Sequence, residues 1–152
     1  MLNFLDQVKK VRGADAALGI RFVPASVYIP VLPEHSHIIG QADGVFFCNV
    51  DGYQDTVFAA AFEPGYGLKI CPLAYDFREF IRLILACGSA AAAAGAGMRS
   101  REKFQRLLAA EEDKSHSGLY NLGMHFSLTP VADPYEYVQT VLQVIDYSPI
   151  RC

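Results

Sequence analysis

His35-Ser36-His37 is the spacing in this chain that most suggests chemistry. In an extended segment residues i and i+2 share a face, so two imidazoles placed that way can hold one ion. Zinc needs one or two further ligands, and nothing nearby is spaced to supply them. The stretch from Pro33 to His37 therefore reads as a solvated polar turn, with a metal protein or small metal-dependent enzyme as the alternative. Asp51 and Asp55 bracket a second candidate, with Tyr53 between them. Two carboxylates can act as an acid–base pair or hold a divalent ion. Aspartate is also an ordinary turn residue, because its side chain bonds nearby backbone amides. An exposed tyrosine flanked by acids suits a protein-contacting surface better than a catalytic one.

The remaining reactive residue types fall into no catalytic pattern. Cys48, Cys71, Cys87 and Cys152 are widely spaced among apolar residues and form no Cys-x-x-Cys pair. They read as three small buried hydrophobes and a terminal thiol, in a reducing compartment. Cys87 is placed at a helix C-terminus, where the dipole opposes a thiolate. His116 and His125 have no obvious paired acid or nucleophile and read as surface or cap histidines. There is no G-x-S-x-G elbow, and Gly65-Tyr66-Gly67 and Gly95-Ala96-Gly97 complete neither phosphate-binding glycine motif. Arg99, Arg101, Lys103 and Arg106 form a basic cluster that reads as one solvated helix face balanced by Glu102, Glu111, Glu112 and Asp113.

Charge and length narrow the classes further. The chain has 152 residues, 52% of them hydrophobic, with 10 Phe, 8 Tyr and no Trp. That is enough apolar side chain for the core of one domain, here taken as 1–152. Thirteen Lys and Arg face sixteen Asp and Glu, a net charge of -3. The excess of acid is spread evenly over the chain, so no segment has the basic character of a dedicated nucleic-acid binder. No apolar run reaches the roughly 18 residues of a membrane span, and the start lacks signal-peptide order. The expected location is the cytoplasm.

The elements that must position these side chains follow from periodicity. Leu2 to Val11 reads as a short amphipathic helix with Lys9, Lys10 and Arg12 at its end and Gly13 as its stop. Residues 26–32 are β-branched and aromatic, and Pro30 inside them predicts an edge strand. Residues 45–50 and 56–62 are the two best strands, joined by a five-residue Gly-containing loop as an antiparallel hairpin. Both are apolar at nearly every position, which predicts a sheet covered on both faces. The segment 63–67 reads as a turn and 68–71 as one more strand. Asp76-Phe77-Arg78-Glu79 is a capping box for a helix that ends at Gly88. Residues 89–97, almost all Ala and Gly, read as a mobile connector. Further helices are predicted from Ser100 to about Glu112, near 117–126, and after Asp133-Pro134-Tyr135-Glu136, a second capping box. The fold class is α+β, a small and mainly antiparallel sheet with an N-terminal helix and a helical C-terminal half.

Three stretches carry a family resemblance: NVDGYQDTVFAAAF, CPLAYDFREFIRLILACG and LTPVADPYEYVQTV. Their hairpin, the phrase from Pro72 to Gly88 and the late Asp133 to Val138 helix start resemble the bacterial branch of the SUKH superfamily, which also includes a fungal cell-wall regulator. The match covers about the last two thirds of the chain, and its motifs specify a fold better than a chemistry. The resemblance implies a non-enzymatic α+β domain with no cofactor and no shared catalytic set. Many such domains are immunity proteins that bind a secreted toxin and block it inside the producing cell. The expected partner is thus a toxin domain, met by a monomer or weak homodimer. Expected contacts are Asp51, Tyr53 and Asp55, with Tyr66 and Tyr75 from nearby loops. A general interaction scaffold is the remaining alternative.

Overall fold

A computed structural model describes residues 3–24, 26–27 and 29–150. The fold is α+β, as predicted. Two short helices, α1 (Phe4–Lys9) and α2 (Ala14–Leu18), lead into a sheet of five strands. These are β1 (Arg21–Phe22), β2 (Ser36–Ala42), β3 (Val45–Val50), β4 (Val57–Glu63) and β5 (Gly67–Ala74). They lie in the order β1-β2-β3-β4-β5, each antiparallel to the next. The helical half follows as α3 (Phe77–Cys87), α4 (Ala90–Met98), α5 (Arg101–Glu112), α6 (Ser117–His125) and α7 (Pro134–Val144).

The aspartates of the two D-x-x-E motifs act as N-caps, while Glu79 and Glu136 pair with Arg82 and Arg101. Asp76 accepts from the Glu79 amide at 2.7 Å and Asp133 from the Glu136 amide at 3.2 Å, closing the starts of α3 and α7. Gly88 ends α3 with φ 100°, a left-handed cap that glycine adopts without a Cβ penalty. Gly13 does not simply end the first helix. The helix stops at Lys9, and Gly13, at φ 80°, starts the short α2 instead.

The sheet is covered on both faces, and the two covers differ in kind. Val57, Ala59, Cys71 and Leu73 point into the main core, where Phe80, Ile81 and Ile84 of α3 and the alanines of α4 meet them. On the outer face irregular chain does the covering. Leu32 and Ile29 pack with Ile38 and Ala60, while Ile145, Tyr147 and Ile150, past α7, pack with Cys48 and Phe58. This corrects the strand expected at 26–32. Pro24, Pro30 and Pro33 deny the segment ladder donors, and its apolar residues serve as a lid over the sheet. Tyr28 lies outside the described residues. The strand forms later, at Ser36–Ala42, so Ser36 and His37 belong to β2 and only Pro33 to His35 is a turn.

The Ala/Gly tract is likewise no connector. Residues Ala90–Met98 form α4, capped by Ser89 Oγ accepting from the Ala92 amide at 3.1 Å, and nearly every side chain in it is buried. Small residues let this helix come close to β5 and α7. A Cβ on Gly97 would lie 2.9 Å from Cys71 Sγ and 3.2 Å from Val138 Cγ1. Two of its last carbonyls are satisfied from outside, that of Ala96 by Gln139 Nε2 at 3.1 Å and that of Met98 by Lys69 Nζ at 3.2 Å. Among the described residues no single helix is long and apolar enough to cross a membrane. Only α3 and α4 taken together pass by composition, and they are bent by 96°.

Candidate functional site

The hairpin tip between β3 and β4 is built by backbone geometry. Gly52 and Gln54 are left-handed, at φ 91° and 55°, which lets the chain reverse over five residues. Asn49 Nδ2 donates to the carbonyls of Thr56 at 2.9 Å and Asp55 at 3.2 Å, tying the two strand ends together. Asp51 is fixed from β2. Its amide donates to the His35 carbonyl at 3.0 Å, and its carboxylate oxygen lies 2.8 Å from His37 Nε2. Both side chains of that pair are more than half exposed, so its net worth is that of a surface ion pair, below about 1 kcal/mol.

The two histidines do not lie in one extended segment. His35 sits in the turn with φ 60°, so the extended geometry that would align it with His37 is missing. Among the described residues no three His, Cys, Asp or Glu side chains are grouped to hold a metal ion. Nor do Asp51 and Asp55 converge. Asp51 opens with Glu34 and Tyr53 onto a cleft of about 270 Å³, whereas Asp55 opens with Asp76 and Arg78 onto another of about 260 Å³.

Tyr53 is turned inward, correcting its reading as an exposed contact. Its ring stands edge-on to Phe58 with centroids 5.3 Å apart, and its hydroxyl donates to the Asp146 carbonyl at 2.8 Å. Tyr75 follows β5 at the same end of the sheet, 39% exposed, with its ring against that of Tyr137. Tyr66 is elsewhere. It sits in the β4–β5 turn, 88% exposed, a full strand length or roughly 25 Å from the hairpin tip. The five expected contacts are thus split between opposite ends of the sheet.

Four residues before Tyr66, at the end of β4, is a residue the sequence reading missed. Phe62 is the last outward side chain of β4, faces Leu68 across the β4–β5 pair and is 66% exposed. Phe46 and Leu68 continue the same outer face and are half-buried under the lid segment, whose own Val31 is 54% exposed. The signal lay in the alternation Phe58, Ala60, Phe62. The first two positions are covered by the chain's own segments, and the third runs out beyond them next to the turn.

The other candidates resolve into structure. Burial pushes the Cys71 and Cys87 thiols up to about 12, with Lys69 pulling the first slightly back and Glu111 adding to the second. Neither is a nucleophile at neutral pH. Cys152 lies outside the described residues. His116 does have an acid: its Nε2 is 3.4 Å from Glu111 Oε2, while Glu111 Oε1 accepts from Ser89 Oγ at 3.0 Å. The carboxylate stands between serine and histidine, which staples helices together and leaves the serine with no base. His125 lies edge-on to Phe126. In the basic cluster Arg101 pairs with Glu136 and lies over the Tyr135 ring, and Arg106 pairs with Glu102 at 2.6 Å.

No protein-family model, curated protein or solved structure matches the chain, so its function is argued from this geometry and from the sequence motifs.

Proposed function

We propose that this chain is a non-enzymatic protein-binding domain that neutralises a toxin domain by covering it, the role that the SUKH resemblance implies. One observation supports this above the others: Phe62, at the end of β4, and Tyr66, in the turn that follows it, are 66% and 88% exposed at the same end of the sheet. Large aromatic side chains left exposed in this way are the residue types that anchor protein interfaces. Half-buried Phe46 and Leu68 extend the apolar centre, and Asp43 and Glu63, in or beside the neighbouring turns, supply a polar rim. Burying the two aromatics contributes on the order of 3–5 kcal/mol to association, before the costs of immobilisation. The chain's net negative charge steers it towards a basic partner, the character of many nuclease toxins.

The test is coexpression with the toxin encoded beside it, in cells that the toxin kills. Expected are growth rescue and a one-to-one complex, both lost in Phe62→Asp combined with Tyr66→Ala while the variant's far-ultraviolet spectrum is unchanged. Failure of the wild-type chain either to rescue or to co-purify overturns the immunity role. Capture of many host proteins and no toxin points to a scaffold instead.

A further inference from the structure

The four basic residues of the first 51 positions converge on one groove. Lys9 and Lys10 come from the end of α1, Arg12 from the turn after it and Arg21 from β1, around an open space of about 600 Å³. Among the described residues only one carboxylate lines it. That is Asp15, whose Oδ1 already accepts from the Ala16 amide at 2.8 Å. Among the described residues none of the four cations makes an ion pair, whereas Lys69, Arg82, Arg101, Arg106 and Lys114 all do. Their partners are neutral. Lys9 Nζ lies 5.6 Å over the Phe22 ring, and Arg21 Nη2 donates at 2.8 Å to the Gln41 side-chain oxygen, once that amide is turned to accept.

The α1 dipole accounts for the two lysines at its C-terminal end, but not for Arg12 beyond it or Arg21 on the strand. Four cations against one acid, in a chain whose remaining nine basic residues face fifteen acidic ones, is a local field of the wrong sign for this molecule. We infer that the groove binds a compact organic polyphosphate, such as a nucleoside triphosphate. The phosphates lie on Lys10, Arg12 and Arg21, and the organic part lies against Phe22, Val23 and Pro24. Guanidinium forks match phosphate oxygens two at a time, and the volume suits a ligand of that size. A long polyanion fits poorly, because the surface beyond the groove is net negative and repels the rest of the strand.

The inference is independent of the protein-binding surface, which lies on the outer face of the sheet around Phe62. Calorimetric titration of the full chain with ATP in about 0.1 M salt tests it, where exposed charges are screened beyond about 10 Å. Expected is saturable one-to-one binding, weaker for AMP and absent for adenosine. The exposed double variant Arg12→Gln, Arg21→Gln is expected to bind ATP at least roughly tenfold more weakly. No saturation at millimolar ATP, equal binding by the double variant, or tighter binding of a single-stranded oligonucleotide or an acidic peptide than of ATP each overturns it.

Discussion

Tyr53 donates its phenolic proton to the carbonyl of Asp146, 93 residues further along the chain, and so ties the β3–β4 hairpin tip to the segment past α7. The bond closes the outer-face cover, since Tyr147 and Ile150 pack with Phe58 just beside it. Tyr53→Phe keeps the ring and its edge-on contact but leaves the carbonyl without this donor. A loss of about 1 kcal/mol is expected, read from urea unfolding. Association with the proposed partner should not change, because the hydroxyl faces the protein's own tail. A tenfold loss of affinity with unchanged stability would restore Tyr53 as a contact residue.

What the sequence made legible was whatever is decided locally. Asp76, Asp133 and Ser100 cap helices by bonds to residues three positions on, and a reader of the sequence sees both members of each pair. The β3–β4 hairpin is equally local. The failures are long-range. Pro30 suggested an edge strand, but the proline that does lie in an edge strand is Pro72 of β5. The two segments differ in what packs on them, which composition does not record. The Ala/Gly tract lacks large apolar groups for the same reason that it is buried: its neighbours Cys71, Leu73 and Val138 fill the space. In the site, Tyr66 was legible as an exposed turn residue, while Phe62 depended on where the lid segment stops.

Gly97 puts the reading of α4 to a quantitative test. Replacing a mid-helix glycine by alanine ordinarily gains up to about 1 kcal/mol. Here the added Cβ would lie 2.9 Å from Cys71 Sγ and 3.0 Å from Leu73 Cδ2, in a core that has no room to give. Overpacking costs about 1–3 kcal/mol, so the net expectation for Gly97→Ala is destabilisation. Gly118 in α6 is the control, because its nearest neighbour would be Ala17 Cβ at an ordinary 3.6 Å. Gly118→Ala should be neutral or stabilising. Thermal melts of the two variants should therefore move apart, and a rise in melting temperature for Gly97→Ala would show that α4 is packed loosely.

Burial makes a similar prediction for the thiols. Cys71 and Cys87, both held up to about 12, present almost no thiolate at neutral pH and are shielded by the core. Peptide mapping after iodoacetamide treatment at about pH 8 should find both unmodified in the folded protein and fully modified in denaturant. Modification in the folded state at a rate matching a free thiol would mean that the α3–α4 layer opens far more readily than its packing implies.

Glu111 gives the fold a dependence on acid. Partial burial pushes its carboxyl up, but hydrogen bonds from Ser89, His116 and Lys114 together outweigh that and leave it below its ordinary 4.5. The unfolded chain therefore takes up this proton more readily than the folded one. The stabilisation is complete above the ordinary carboxylate range and is lost as pH falls through the lower folded value. Glu111→Gln cannot ionise and weakens the staple that joins the starts of α4 and α6 to the end of α5. At about pH 7 it should unfold more easily than wild type by roughly 1–2 kcal/mol. At a pH below the ordinary carboxylate value that gap should be smaller, because the unfolded wild-type chain then takes up the proton more readily than the folded one. Chemical denaturation at the two pH values reads the difference directly, and a gap of equal size at both would mean that the charge on Glu111 contributes nothing beyond its shape.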